Sequence, residues 1–554
     1  MSIFDLKTDV SELASANHGI SRMKYEQIPP SRDSTGVNFT NGQIRFPFSM
    51  NGQKRWIPAE SYVRMRIKIT DSTGNASLAK SDNIAPNMGL CATLFQSAEF
   101  QIQDKTVSRV GDYLPQIDAL EARLTKSRSY LKGVGSSLNI WDADFKKRQS
   151  VITSDGLLIE DVTTDAPSHL LSRSELGFDD TSAANHNQWG YASATGTLTY
   201  AQGGAGGGLD AAEASAAFPV GSYFSFRNVA GDPDLSTPAK ILTNNDAGVL
   251  TVAIGSFNGH GDVPSSGVND FVRHVHPDAG DDVARKVSEF ELIWQPPLSV
   301  FKVGEALPTG NYTLVLSPQT QSAYQKAAIQ SLGADKTPDT DFKVSVENIY
   351  LIVKTVEGPR ADNITYLLDL EQTSCSTKTL QSADFQQQEF HVSPATYALT
   401  VAYQDSRALS NTQFPQSQFK VYGADSSSKD HELNLTRFFI SYAGQQLPQP
   451  DADPEFKAGT DYTVQRYAET QMYSGAIFSE GGAESLKEWH DRGAYYHFQW
   501  PRDGTSRDTQ VYVNQQFSSL PTDRPRVLLF SHSRQVARIS IVDGQVADIQ
   551  LEEQ

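Results

Sequence analysis

The sequence predicts an all-β protein built from two similar sandwiches in tandem, each of about eight strands, with a large loop insertion in the first and one short helix. Three observations predict this class. Apolar residues fall mostly in short runs of strict alternation. One segment repeats its apolar residues at helical spacing. Landmarks of the first half recur in the second.

The alternating runs are the plainest signal. Ile44, Phe46, Phe48 and Met50 alternate with polar residues, and Val63, Met65, Ile67 and Ile69 alternate with Arg64, Arg66 and Lys68. Successive side chains of a strand point to opposite faces, so each run has one dry face and one wet face. Phe100 and Ile102 are expected to begin another strand, followed by a turn at Asp104-Lys105. The helix is expected over 112–132. There Tyr113, Leu114, Ile117, Leu120 and Leu124 recur at helical spacing, behind Asp112 as N-cap and with Pro115 in the first turn. Strands resume at 290–294, at Tyr312, Leu314 and Leu316, and at Phe342, Val344 and Val346. A second series holds Tyr397, Leu399, Val401 and Tyr403, then Phe438, Ile440 and Tyr442, then Val511 and Val513. The chain closes on a hairpin whose Asp543-Gly544 pair suits a two-residue type I′ turn, which needs positive φ at both central positions.

Between these runs the composition shifts. Residues 1–40 are polar, include Pro29-Pro30, and read as an extended N-terminal arm. Residues 133–285 are rich in Gly, Ala, Ser and Asp and read as an inserted excursion. The expected organisation is an arm over 1–40, a first sandwich over 41–358 interrupted by 133–285, and a second sandwich over 359–554.

Three echoes support duplication. Pro58-Ala-Glu-Ser-Tyr62 leads into an alternating strand, as does Pro394-Ala-Thr-Tyr397. The segment centred on Trp294 has a counterpart centred on Trp500, with Phe290 and Tyr496 four places earlier. The tract beginning at Leu307 is answered by one beginning at Leu520. Pro58 and Trp294 lie 236 residues apart and Pro394 and Trp500 lie 106 apart, so the first copy carries a surplus that falls where the composition shifts. A propeller would show several equal short repeats instead. A jelly roll manages its sheet edges by doubling two Greek keys and tolerates long loops at its ends.

Composition narrows the function. At 554 residues the chain exceeds the roughly 250–300 at which a single core stops growing. A formal charge of −18 repels phosphate, which disfavours a direct reader of nucleic acid. Cys91 and Cys375 are too few for a disulfide framework or a four-ligand zinc site and read as reduced core residues. No cationic start followed by an apolar stretch marks a signal peptide, and no window of about 18 apolar residues marks a membrane span. The sequons at Asn38, Asn75, Asn311, Asn363 and Asn434 then read as chance matches in a Thr-rich chain.

The layout resembles the double jelly-roll major capsid proteins, above all those of polinton-like viruses and virophages, with adenovirus hexons and capsid proteins of tailless membrane-containing phages as more distant relatives. The resemblance covers roughly residues 40–554. It rests on WIPAESYVRMRIKI, on LFQSAEFQIQDKTV followed by DYLPQIDALEARL, on WQPPLSVFKVGEALPTGNYTLVLS, and on VARISIVDGQVADIQL. The Gly/Ala-rich insertion departs from the minimal pattern. The resemblance implies a structural protein with no cofactor, located in the virion capsid. It implies a homotrimer that presents six rolls as a pseudo-hexameric capsomer of an icosahedral shell. Its partners would be neighbouring capsomers, penton and minor capsid proteins, a genome or internal membrane on the inner face, and a host receptor through a tower at 133–285.

Candidate sites have competing readings. Gly267, His274, His276 and Asp281 nearly spell the metal motif of cupins, but the spacing is one residue too long, Asp replaces Glu, and no second motif supplies a third His. Polar loop histidines are the simpler reading. Arg123, Lys126, Arg128, Lys132, Lys146, Lys147 and Arg148 form a dense basic stretch that could touch genome or anionic lipid on an inner face. A solvated helix face paired with Asp142 and Asp144 competes with that reading and is favoured. Trp294 and Trp500 at matching strand ends suggest packing within or between rolls rather than sugar stacking. Neither a nucleophile elbow nor a phosphate-binding loop is present, so no reaction is assigned. The rivals are a trimeric carbohydrate-binding adhesin or fibre protein, which would be elongated and bind glycans, and a cupin-like jelly-roll enzyme, which would depend on a residue such as His276.

Overall fold

The structure is a computed structural model. It describes residues 23–75, 78, 84–141, 149–152, 158–161, 175–178, 188–201, 220, 223–227, 239–245, 247–254, 270–274, 289–331, 335–358, 363–421, 435–447, 464–473, 484–486, 489, 493–499, 509–520 and 525–553.

The alternating runs become strands with one buried face. Ile44, Phe46, Phe48 and Met50 are all buried while Arg45, Pro47 and Ser49 between them are exposed. The eight principal strands of the first half are β1 (Met23–Ile28), β2 (Ile44–Met50), β3 (Lys54–Thr70), β4 (Phe95–Ile102), β5 (Lys105–Val110), β6 (Glu289–Trp294), β7 (Gly310–Pro318) and β8 (Lys343–Glu357). They form two four-stranded sheets, ordered β1-β8-β3-β6 and β2-β7-β4-β5. The second half repeats this with β9 (Ile364–Thr379), β10 (Gln386–His391), β11 (Thr396–Gln404), β12 (Leu435–Tyr442), β13 (Gln445–Leu447), β14 (Tyr495–Gln499), β15 (Gln510–Phe517) and β16 (Arg526–Val542). Their orders are β9-β16-β11-β14 and β10-β15-β12-β13. With the strands of each half lettered B to I, both halves give a BIDG sheet facing a CHEF sheet, the arrangement of a jelly roll. The chain is a double jelly roll.

A ninth strand, β17 (Gln545–Glu553), pairs with the later part of β16 after the turn at Asp543 and Gly544, whose φ values are 52° and 74°. The two-residue turn expected from Asp-Gly is therefore present, with the positive φ at both positions that it requires.

Each roll packs its own aromatic core between its two sheets. In the first, Trp56 of β3 lies 5.0 Å from Phe100 of β4, 5.2 Å from Phe48 of β2 and 5.3 Å from Tyr312 of β7, ring centre to ring centre. Its buried indole N–H donates to Ser61 Oγ at 2.8 Å, so the ring enters the core without stranding a donor. In the second, Phe438 of β12 lies 4.6 Å from Tyr496 of β14, and Tyr403 of β11 packs on Phe517 of β15 while donating to Gln515 Oε1 at 2.7 Å.

Several expectations are corrected. Residues 23–28, assigned to the arm, form the edge strand β1, with Met23 opposite Val356 and Ile28 opposite Leu351. Phe100 and Ile102 end β4 rather than begin a strand, because Phe95 and Ala98 already belong to its buried face. The helix expected over 112–132 breaks: α1 (Leu114–Thr125) stops at Lys126, which is extended, and Ser127 caps a separate turn at Arg128–Lys132. Its N-cap is Tyr113, in the left-handed region at φ 66°, while Asp112 accepts from Gln96 Nε2 at 3.0 Å instead. One helix was too few, since α2 (Gln321–Ala328) and α3 (Val464–Tyr473) are also present. Both are short and largely polar, which hides their period in the sequence.

The third echo also fails. The tract at Leu307 precedes strand H of the first roll, whereas that at Leu520 precedes strand I of the second. The first two echoes do mark equivalent strands, D at Pro58 and Pro394 and G at Trp294 and Tyr496.

The insertion lies between strands F and G of the first roll. Asn75–Ala85 and Ala143–Ser288 form a compact unit of their own, so the helical turn Val134–Asn139 belongs with the rolls rather than with the excursion. Its described strands form two four-stranded antiparallel sheets and the hairpin Gln149–Ile152 with Leu158–Asp161. Leu198 and Leu250, on neighbouring strands, are fully buried, as are Phe224 and Ile241.

Candidate functional site

Among the described residues a cluster of buried polar side chains lies where the two rolls meet. It is organised by α1, which follows strand F of the first roll. Pro115 fits the first turn, where a missing N–H costs nothing. Nearly every residue from Leu114 to Arg123 is buried, which an ordinary amphipathic surface helix does not achieve. Toward the first roll, Asp118 Oδ1 accepts from the indole Nε1 of Trp294 at 3.0 Å, and that indole stacks on Phe95 at 5.6 Å and 4°. Toward the second roll α1 crosses the outer face of the BIDG sheet. Tyr113 Oη and Thr377 Oγ1 are 3.0 Å apart, and Gln116 Nε2 donates to Gln404 Oε1 at 3.3 Å.

Arg123 completes this contact. Its Nε donates to Glu484 Oε1 and its Nη2 to Glu484 Oε2, both at 2.8 Å, and its guanidinium lies over the ring of Tyr495 at 4.6 Å. The planar fork of arginine suits this bidentate, aromatic-faced setting in a way that a lysine ammonium does not.

Burial pushes Asp118 up to about 8, against the opposing pull of the Trp294 hydrogen bond. At neutral pH it is therefore mostly protonated, and its Oδ2 has no hydrogen-bond partner.

Beside α1 a cleft of about 190 Å³ opens between the rolls, lined among others by Glu121, Lys302, Glu371, Tyr397, His497 and His532. On its floor one hydroxyl joins two imidazoles. Thr400 Oγ1 is 2.8 Å from His497 Nδ1 and 3.0 Å from His532 Nε2, and Thr373 Oγ1 lies 3.1 Å from His532 Nδ1. Burial lowers His497 to about 4; it also holds His532 well below its ordinary value, with His497 and Lys302 adding repulsion.

The basic stretch expected on a surface does not hold together. Arg123 is buried and ion-paired, with a side-chain exposure of 5%. Lys126 is half-buried, with Nζ 5.4 Å from the Tyr130 ring centre, and Arg128 and Lys132 belong to the following helical turn. Lys146, Lys147 and Arg148 lie outside the described residues, as do Trp500, Gly267, His276 and Asp281. His274 ends the strand Asp270–His274. Among the described residues no group of three or more His, Cys, Asp or Glu is placed to hold a metal ion. Also among them, no helix is long and apolar enough to cross a membrane.

Sequence reasoning missed Glu484, Thr400, His497 and His532. Glu484 stands 361 residues from Arg123, and Thr400 stands 97 and 132 residues from the two histidines, so no local pattern links them.

No protein-family model and no curated protein matches the chain. Among solved structures it is similar to the Sputnik virophage structure, with 10% identity over 99% of this chain and 91% of that one, at a TM-score of 0.45. It is similar to the mavirus major capsid protein, with 10% identity over 96% and 90% and a TM-score of 0.39. It is also similar to the Faustovirus major capsid protein, with 10% identity over 93% and 90% and a TM-score of 0.41.

Proposed function

We propose that the chain is a viral major capsid protein that assembles as a homotrimer, each copy supplying two rolls to a pseudo-hexameric capsomer of an icosahedral shell. The observation that carries this reading is the duplicated strand order, BIDG over CHEF twice in one chain. Two like units joined in one polypeptide allow three copies to imitate a sixfold ring with cyclic contacts. An acidic chain of formal charge −18 suits a building block kept soluble at high concentration before assembly. Its place is then the virion capsid, its partners neighbouring capsomers with penton and minor capsid proteins, and its work assembly rather than catalysis. The compact unit formed mainly by the insertion between strands F and G has its own internal contacts and could change without disturbing either roll, which suits it to contacts outside the shell lattice.

Sedimentation and negative-stain imaging of the purified full chain test this. The expected result is a compact trimer with a six-lobed outline. A monomer at micromolar concentration, or an elongated fibre-like trimer, would overturn it.

A further inference from the structure

We propose that the contact between the two rolls contains an acid-sensitive latch, formed by His497 and His532 around the Thr400 hydroxyl, that holds α1 against the second roll only while the imidazoles stay neutral. This goes beyond the assembly reading and does not depend on it.

The geometry limits how many protons the cluster can hold. Thr400 is fully buried and its hydroxyl has a single hydrogen. With His532 charged, both its ring nitrogens donate, one to Thr373 and one to Thr400, and the Thr400 hydrogen still finds the lone pair of His497 Nδ1. Should His497 then be protonated at Nδ1, Thr400 would face two donors and its own hydrogen would lose its acceptor. The two cationic rings would also stand 5.4 Å apart, with His497 buried and His532 half-buried.

The charged and titratable groups around the pair do not relieve this. Lys302 adds positive charge from the first roll, and Glu121 of α1 is already engaged by Lys302 at 3.3 Å. Glu371 of β9 and Tyr397 of β11 line the same cleft, each with contacts of its own. Leu120 and Leu124 of α1 wall the same cleft as the two histidines, so separation of α1 from the BIDG sheet would hydrate both rings further and let them take up protons near the ordinary histidine range. Proton uptake therefore favours the open seam as the pH falls below about 6.5, by roughly tenfold per pH unit for each histidine involved.

The test is amide hydrogen exchange of the full chain by mass spectrometry at pH 7 and pH 5, corrected for intrinsic rates. Peptides covering α1 (Leu114–Thr125) and β14 (Tyr495–Gln499) are compared with β15 (Gln510–Phe517), on the far sheet of the second roll. The expected result is at least tenfold faster opening of α1 and β14 at pH 5 with β15 still protected. In His497→Gln/His532→Gln, whose amides cannot gain a proton, that acid response should be lost. Should the double variant not fold, deuterium exchange at the imidazole C2–H of the parent protein reports each histidine directly, and both should titrate well below 6.5. Three results would overturn the proposal: unchanged α1 protection at pH 5, an acid response retained in the double variant, or loss of β15 protection together with α1.

Discussion

Arg123 of the first roll and Glu484 of the second form a bidentate ion pair at 2.8 Å, with side-chain exposures of 5% and 0%. Removing one partner of such a pair leaves the other charge buried and unmatched, which costs about 3–5 kcal/mol. Arg123→Ala or Glu484→Gln should therefore lower stability to that extent in chemical denaturation. Arg123→Met/Glu484→Leu should recover most of the loss, because two apolar groups of similar volume strand no charge. A double variant as unstable as the worse single one would count against the pair as the source of the effect.

Asp118 predicts an opposite dependence on pH to that of the histidines. Its folded value is raised to about 8 by burial, whereas an unfolded aspartate titrates near 3.8. Between those limits the folded protein holds a proton that the unfolded chain releases. Its contribution is thus complete in acid below the unfolded value and declines as pH rises through about 8, by up to about 1.4 kcal/mol per pH unit. Asp118→Asn keeps an acceptor for Trp294 and cannot ionise. Unfolding free energies measured from pH 5 to 8 should fall less steeply in the variant, which should be the more stable protein at pH 8. Parallel curves would show that Asp118 does not titrate in this range.

Gly493 sits immediately before Ala494 and β14 with φ of 88°, and a Cβ at this position would lie 1.7 Å from the Phe419 carbonyl oxygen. Gly444 shares the sign of φ, at 74°, yet has open space around it. Alanine at a positive-φ site costs more than about 1 kcal/mol for the backbone alone. Gly444→Ala should show only that backbone cost in thermal melts, while Gly493→Ala should be far worse or fail to yield folded protein. Equal effects of the two substitutions would mean that the close approach to Phe419 relaxes freely.

Trp56 occupies the centre of the first core, fully buried among Phe48, Phe100 and Tyr312. Trp56→Ala should cost about 3–5 kcal/mol, the range for deleting a large buried aromatic. Trp56→Phe should cost less, because the Ser61 hydroxyl loses one donor but still donates to the Ile57 carbonyl and accepts from Lys354 N. Denaturant midpoints of the two variants order these effects, and a tolerated alanine would deny Trp56 its central place.

Much of the fold was legible because its signals are local. Alternation in Val63–Ile69 and in Leu399–Tyr403 states which side chains face the core, although Tyr397, expected on the same face, lines the cleft between the rolls beyond a register shift, and the proline-led openings at Pro58 and Pro394 mark equivalent strands. The Leu307 and Leu520 tracts show the hazard of the same method. They are alike in residues but lead into strands H and I, because a loop that opens on Leu-Pro-Thr can serve any strand.

The sequence by itself determined the all-β class, most of the strands, the position of the insertion and the helix around Leu114–Thr125. These depend on side-chain period and turn chemistry over a few residues. Only the tertiary structure decided what that helix does. Its basic residue Arg123 read as part of a solvated or anion-binding stretch, yet it is buried because Glu484 and Tyr495 close over it from the second roll. The same holds for Thr400, His497 and His532, ordinary strand residues until the sheet register sets them side by side. Periodicity reports which face of an element is dry, whereas the partner of a buried charge is chosen by chain folding across hundreds of residues.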